Sequence, residues 1–383
     1  MQIKATKVKK LLIIHFHNHI TQPRVRREYD LLKGRYKLFG MGYVDCQREG
    51  VEFIVIKKPK WNWKMKIIQR FWLLLRQYER VYWNLPQIKE AEEKLKDYEF
   101  DIILAHNEET IPLVLKCKKN AKIILNMHEY APREFENFFW WKFYFASYKH
   151  YLCQTYLKQV DYMYSVSEGI AKEYEKNYGV KCDVITSAAK YYAPPPPLIC
   201  HEPIKLIYHG MASKERGIEK MIEIMEYLDS RFTLDLMLVK TADEEYYKNL
   251  ESQVSQVKNT RIIPIVPFEE IIPFTSQYDI GFYILQPTNF NGYNALPNKF
   301  FEFIQARLAI AIGPSPEMAK LVQQYHLGII SKDFTPKSMA ESLNKLTKEE
   351  ILQYKENSNK AAKILNAQNE GEKLLKIVEE VLG

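Results

Sequence analysis

From residue 10 onward the chain alternates short apolar runs of β character with stretches long enough for a helix, and this alternation constrains the fold more than any other feature. The runs LLIIHF, YKLFGMGY, DIILAH, AKIILNMH and DYMYSVS come first. After YAPPPPLIC the pattern restarts with IKLIYHG, FTLDLMLVK, RIIPIV, YDIGFYIL, LAIAIG and LGIIS. Strands alternating with helices predict parallel sheets in an α/β fold. The prolines at 194–197 can continue neither a helix nor a central strand, so they are expected to separate two such units. A length of 383 residues suffices for two cores. The expected organisation is one domain over residues 1–195, a second over 196–365, and a terminal helix over 366–383.

Composition narrows the setting. The five cysteines, Cys46, Cys117, Cys153, Cys182 and Cys200, are scattered and form no CxxC pair, which argues against a disulfide scaffold or zinc site and for a reducing compartment. The opening MQIKATKVKKLLIIHFHNHI places lysines before an apolar run, as a signal peptide does. That run stops at His15 and no small-residue cleavage site follows, so a buried first strand is expected. No stretch is long and apolar enough for a membrane span, which fits a cytoplasmic chain. Charge is uneven: residues 1–80 hold 19 Lys and Arg against six Asp and Glu, a net +13, whereas the remainder holds 36 against 41, a net −5. The N-terminal part therefore seeks an anionic partner. No nucleic-acid-binding motif accompanies the charge, so nucleic acid is the weaker reading.

In open parallel sheets, ligands bind beyond the carboxyl ends of the strands, so the loops there are the candidate sites. In IYHGMASKERGIEKMIEIM a strand ends at Gly210, and Arg216 and Gly217 lead into a helix whose Ile218, Met221, Ile222 and Met225 share a face. An arginine at that helix start opposes the dipole unless an anion sits there; otherwise it is a surface residue held by Glu215 or Glu219. In QPTNFNGYNALPNKFFEF, Lys299 and Glu302 stand three apart at a helix start. They are either an exposed ion pair or groups for two ends of one nucleotide, the ammonium and helix amides for phosphate and the carboxylate for ribose. Two anion-competent loops on one domain favour a diphosphate.

These two segments, YHG-x5-RGIEKMIE and LPNKFFEFIQARLAIAIG, resemble the C-terminal domain of GT-B glycosyltransferases of the retaining family 4 type. HNHITQPRVRREYDLL, DIILAHNEETIPLVL, IILNMHEYAPREF and DYMYSVSEGIAKEY resemble successive blocks of that family's acceptor domain. The resemblance implies two Rossmann-like doubly wound domains facing a cleft, with the terminal helix packing back on the first. Arg216 matches the basic residue that holds the donor diphosphate, and Glu302 the carboxylate that binds the ribose. His106, by default a structural hydrogen-bonder at a strand end, matches the histidine beside the attacked carbon. His106, Arg216 and Glu302 are the expected catalytic set; Gly210, Asn294, Ala295, Leu296 and Lys299 complete the expected donor site. His17, His19, His128 and Glu129 are expected on the acceptor side.

Two positions depart from the family pattern. Asn294 stands where the family has a glutamate, and Met211 where many members have an arginine, a charge that Lys299 is expected to supply. The implied activity is metal-independent transfer of a sugar from a nucleoside diphosphate sugar to an acceptor hydroxyl with retention, without a cofactor. A sugar-nucleotide epimerase of the same architecture and a non-catalytic nucleotide- or glycan-binding descendant are the alternatives. The row His15, His17, His19 raises metal binding, since alternate residues share a strand face, but neither carboxylate nor cysteine accompanies it at ligand spacing.

The segment KKPKWNWKMKIIQRFWLLLRQYERVYWNLPQ, residues 57–87, remains. Met65, Ile68, Trp72, Leu75 and Tyr82 fall near one helical stripe, and Lys66, Arg70, Arg76 and Arg80 are basic. Such a helix either packs its broad face on the domain or lies on anionic lipid. The aromatic run FENFFWWKFYFASYKHYL, residues 135–152, favours lipid, with Lys66, Arg70, Trp72, Arg76 and Arg80 facing the membrane. The expected acceptor is then a lipid-linked or cell-surface glycan in bacterial envelope polysaccharide synthesis, handled by a protein peripheral on the inner membrane face.

Overall fold

The structure is a computed structural model that describes residues 8–383; the first seven residues, with two of the lysines counted above, lie outside the described residues. The chain forms two compact units. The first comprises residues up to Ile185 together with Asn289–Asn291 and Gly371–Gly383, the second Thr186–Thr288 and Gly292–Glu370. The chain thus leaves the first unit ahead of the proline run.

The first unit is built on seven parallel strands: β1 (Lys10–Ile14), β2 (Lys37–Gly42), β3 (Val51–Val55), β4 (Ile102–His106), β5 (Lys122–Met127), β6 (Tyr162–Ser165) and β7 (Asp183–Val184), in the order β3-β2-β1-β4-β5-β6-β7. Side chains alternate across the sheet, so Leu12 and Ile14 join one core while Leu11 and Ile13 join the other. Burial on both faces explains why β1, β4 and β5 read as continuous apolar runs. The first core lies under helices Pro86–Leu95, Ile111–Cys117, Ser147–Tyr156 and Glu168–Tyr178. The second is covered by helix Pro23–Leu32 and by Leu374, Ile377 and Val378 of helix Ala367–Leu382.

The second unit holds β8 (Ile204–Met211), β9 (Phe232–Val239), β10 (Thr260–Ile263), β11 (Ile280–Tyr283), β12 (Ala309–Ile312) and β13 (Gly328–Ile330), again all parallel, ordered β10-β9-β8-β11-β12-β13. Both sheets reverse their winding direction once, between β1 and β4 in the first unit and between β8 and β11 in the second. Crevices open outside the strand ends at such points.

Candidate functional site

In the second unit the reversal point carries a cluster of cations. Tyr208 on β8 and Tyr283 at the end of β11 lie with ring centroids 5.8 Å apart, and Lys299 Nζ sits 3.9 Å and 4.3 Å from their centroids. Arg216 donates from Nη1 to the Tyr283 hydroxyl at 3.1 Å. No ion pair forms between Arg216 and Glu219, whose carboxylate instead accepts from the Tyr246 hydroxyl at 2.5 Å. Burial, together with the Arg216 charge, pulls the Lys299 ammonium well below its ordinary range. Nor do Lys299 and Glu302 form the exposed pair their spacing allows: both are buried, and Glu302 Oε2 lies 3.4 Å from His209 Nε2. Burial and the Lys299 charge push His209 down to about 3, so it is neutral.

The position of Lys299 depends on the strand end beside it. Gly210 has φ +149°, and a Cβ there would stand 2.8 Å from Lys299 Nζ. Asn294 and Leu296 are buried in the loop leading into helix Asn298–Gln305, and Ala295 between them is half-buried. No side chain caps that helix start. The structure therefore brings Gly210, Arg216, Lys299 and Glu302 together at one strand end. Two cations repel each other there beside a buried Tyr208 hydroxyl that has no hydrogen-bond partner among the described residues. Such a site gains from an anion.

In the first unit the reversal point carries a pocket of about 270 Å³, lined by His15, His17, His128, Glu129 and a group of charged residues from later elements. Glu108 and Glu109 follow β4, Glu134 follows β5, and Lys149 comes from helix Ser147–Tyr156. Lys149 is ion-paired to Glu108 and lies 3.6 Å from Glu134. Glu109 makes no side-chain hydrogen bond or ion pair to a described residue, and burial, reinforced by Glu108 and Glu134 against the pull of Lys149, pushes its carboxyl up to about 7. Glu108 and Glu109 lie in DIILAHNEETIPLVL and Glu134 in IILNMHEYAPREF, but only the fold brings them together with Lys149.

Two expected site histidines stand elsewhere. His106 is completely buried behind the pocket wall, its Nε2 2.9 Å from Glu28 Oε2 and its Nδ1 2.9 Å from His128 Nε2. Glu28 also accepts from Asn126 at 2.8 Å and Tyr164 at 3.1 Å. The hydrogen bond shared by His106 Nδ1 and His128 Nε2 fixes the orientation of the His128 ring. His106 is thus a positioning residue for His128 within this unit. His19 does not line the pocket: Tyr29 Oη lies 2.9 Å from its Nδ1 and the His15 carbonyl 3.1 Å from its Nε2. A Cβ at residue 42 would stand 2.6 Å from that ring, so Gly42 on β2 makes room for it. The three histidines do not share a strand face, because β1 ends at Ile14. His15 and His17 still lie with tilted rings whose centroids are 4.6 Å apart.

The basic segment also differs from a single stripe. It forms two helices, Trp63–Leu74 and Tyr78–Trp83, broken around Arg76 at φ +53°. Tyr82 is buried, and Trp72 is half-buried against the core under the Arg80 guanidinium, 4.1 Å from its ring centroid, rather than facing outward. The exposed residues are Trp63, Ile67, Ile68, Phe71, Leu74 and Leu75, with Lys64, Lys66, Arg70 and Arg76 exposed around them. The neighbouring aromatic run is helical through a π-turn at Lys142–Ala146 and leaves Phe138, Phe139, Trp140 and Phe143 more than half exposed. Arg70 lies over Tyr144 of that run at 5.4 Å. Among the described residues no helix is long and apolar enough to cross a membrane.

Residues 46–187 match the family model described as Glycosyltransferase Family 4. No curated protein matches the sequence. Among solved structures, sucrose-phosphate synthase of Thermosynechococcus elongatus aligns at 11% identity with a TM-score of 0.75, covering 97% of this chain and 99% of that one. HepE of Anabaena, in complex with UDP and glucose, aligns at 10% identity with a TM-score of 0.71, covering 97% and 100%. A UDP-forming trehalose-phosphate synthase of Burkholderia xenovorans aligns at 11% with a TM-score of 0.71, covering 98% and 100%. The chain has the two-sheet α/β fold of the GT-B glycosyltransferases, and its residues 46–187 are similar to the Glycosyltransferase Family 4 model.

Proposed function

We propose that the protein is a glycosyltransferase that moves a sugar from a uridine diphosphate sugar to an acceptor hydroxyl. The observation that carries the reading is the pair of converging cations at the second unit's reversal point. Arg216 and Lys299 take the diphosphate there, and Glu302 takes the ribose hydroxyls. HepE, which binds UDP and glucose, supports uridine as the base. As the bond from the anomeric carbon to the diphosphate breaks, charge builds on the leaving oxygen, and the two fixed cations and the amides at the start of helix Asn298–Gln305 stabilise it. The acceptor oxygen bonds to the same face of that carbon and passes its proton to the leaving phosphate, which retains configuration. No metal enters this scheme. Asn294, an amide where the family has a carboxylate, hydrogen-bonds the sugar without adding charge.

The pocket in the first unit favours transfer over epimerisation, since an epimerase acts on its donor alone. The apolar and basic surface of helix Trp63–Leu74 and the adjoining aromatic run supports a peripheral contact with anionic lipid, and with it a lipid-linked or cell-surface glycan as acceptor. The test is thermal stability of the pure protein in EDTA against UDP, UDP-sugars, ADP and GDP. Ligand at a hundredfold over its Kd adds ~2.7 kcal/mol. A melting shift with UDP that vanishes in Arg216→Ala is expected; no shift with any of these nucleotides rejects the reading.

A further inference from the structure

The charge of the first unit's pocket is out of balance. Glu108 and Glu134 share one ammonium, that of Lys149, and Glu129 on the same lining interacts with the Arg24 guanidinium, which leaves Glu109 facing the cavity with no hydrogen bond or ion pair to a described residue. The imidazoles on the opposite wall do not offset it. His15, His17 and His128 are all held neutral, first by burial and then by one another and by nearby cations. His15 is only 1% exposed, lines the cavity, and has its Nδ1 bonded to no described residue. The pocket thus presents a carboxyl without a cation of its own, flanked by the rings of His15 and His128. Its volume of about 270 Å³ lies at the small end for ligand sites and suits one sugar ring.

We infer that this pocket receives the acceptor through a sugar unit bearing an amino group, with the ammonium on Glu109 and ring hydroxyls on His15 and His128. The inference rests on the glycosyltransferase reading only in naming this ligand the acceptor. Carboxylates accept hydrogen bonds from neutral hydroxyls as well, but a neutral sugar leaves the excess negative charge unpaired. A phosphate or carboxylate on the ligand would add to it. An ammonium removes it and forms a charge-assisted hydrogen bond in a partly water-free site. Binding also draws a proton off Glu109, because a cation beside that carboxyl favours its ionised form.

The experiment compares glucosamine, glucose and glucuronic acid, three ligands with one ring and different charge, binding to the full-length protein at pH 7 by calorimetry. Glucosamine is expected to bind at least tenfold more tightly than glucose, with glucuronic acid weakest. The glucosamine enthalpy is expected to vary with the ionisation enthalpy of the buffer as protons are released. In Glu109→Gln the advantage falls to within twofold and the buffer dependence disappears. Equal binding of glucosamine and glucose, tightest binding of glucuronic acid, or no binding of any of the three overturns the assignment without reference to a variant. UDP binding by the same wild-type sample separates the two readings. A glucosamine preference without UDP binding rejects the transferase and keeps the pocket's selectivity, and UDP binding without that preference does the reverse.

Discussion

Lys299 is buried over two phenol rings, with a guanidinium bonded to one of them and burial disfavouring its charge. Such a residue is held against its own electrostatics, as expected of a group placed for a ligand's charge. Replacing it with methionine keeps the stem and removes the repulsion. Lys299→Met is therefore expected to melt higher than wild type without ligand while binding UDP at least tenfold more weakly, a loss of about 1.4 kcal/mol. Differential scanning calorimetry and UDP titration check the two halves; a lower melting temperature or unchanged affinity contradicts the role. The nearness of Lys299, Glu302 and Arg216 was legible in the sequence because their segments resemble neighbouring loops of one domain; their roles are the proposal made above. That of Glu108, Glu109, Glu134 and Lys149 was not: they come from three elements, and nothing local to any of them announces that the others are near. His106 and His128 were legible as residues but not in their order, since which of them lines the pocket depends on packing behind β4.

At the scale of elements, the apolar runs located eleven strands, and the two that escaped have a physical reason. β3 is an edge strand whose side chains alternate between half-buried and exposed over much of its length, and β7 spans only Asp183–Val184, held by pairing to β6 rather than by its own apolar content. Helix Trp63–Leu74 was legible as amphipathic with its basic residues outward, but Trp72 was placed outward too. Its inward positions, Leu73 and Trp72, are fewer than its outward apolar ones, so periodicity alone could not say which stripe meets the protein. The outward set Ile67, Phe71 and Leu74 follows helical spacing and lies among lysines and arginines, the arrangement of an interfacial helix. The protein is expected to float with phosphatidylglycerol vesicles and not with neutral ones. The double variants Ile67→Asp/Phe71→Asp and Lys64→Glu/Lys66→Glu should each abolish flotation while leaving the melting temperature nearly unchanged, because these side chains touch little of the core. Flotation that survives both changes rules out this surface as the contact.

For the whole molecule, four buried or half-buried imidazoles set a common response to acid. His15, His19, His128 and His209 all have folded-state values lowered by burial, His19 to about 4 and His209 to about 3. The unfolded chain therefore binds more protons than the folded one below the ordinary histidine value of ~6.5. This stabilisation is complete above that pH and is lost as pH falls toward the folded values, by up to about 1.4 kcal/mol per pH unit for each independent group. Glu109 and Glu134 act the other way, since their raised values favour the protonated folded form as pH falls, but they are fewer. Melting temperature is expected to hold between pH 7.5 and 6.5 and to drop progressively from there to pH 4.5; an unchanged value at pH 5 contradicts the account. The alternation of strands and helices made both sheets legible. The allotment of residues 371–383 to the first unit was not, because family likeness and not any local pattern suggested where that helix packs. Its placement also orders events during synthesis. The face of the first sheet carrying Leu11 and Ile13 has only helix Pro23–Leu32 to cover it until Leu374, Ile377 and Val378 leave the ribosome, after the whole of the second unit has been made. A nascent chain interrupted anywhere before Gly371 displays that bare apolar strip, so the first core closes only after the second unit has been synthesised.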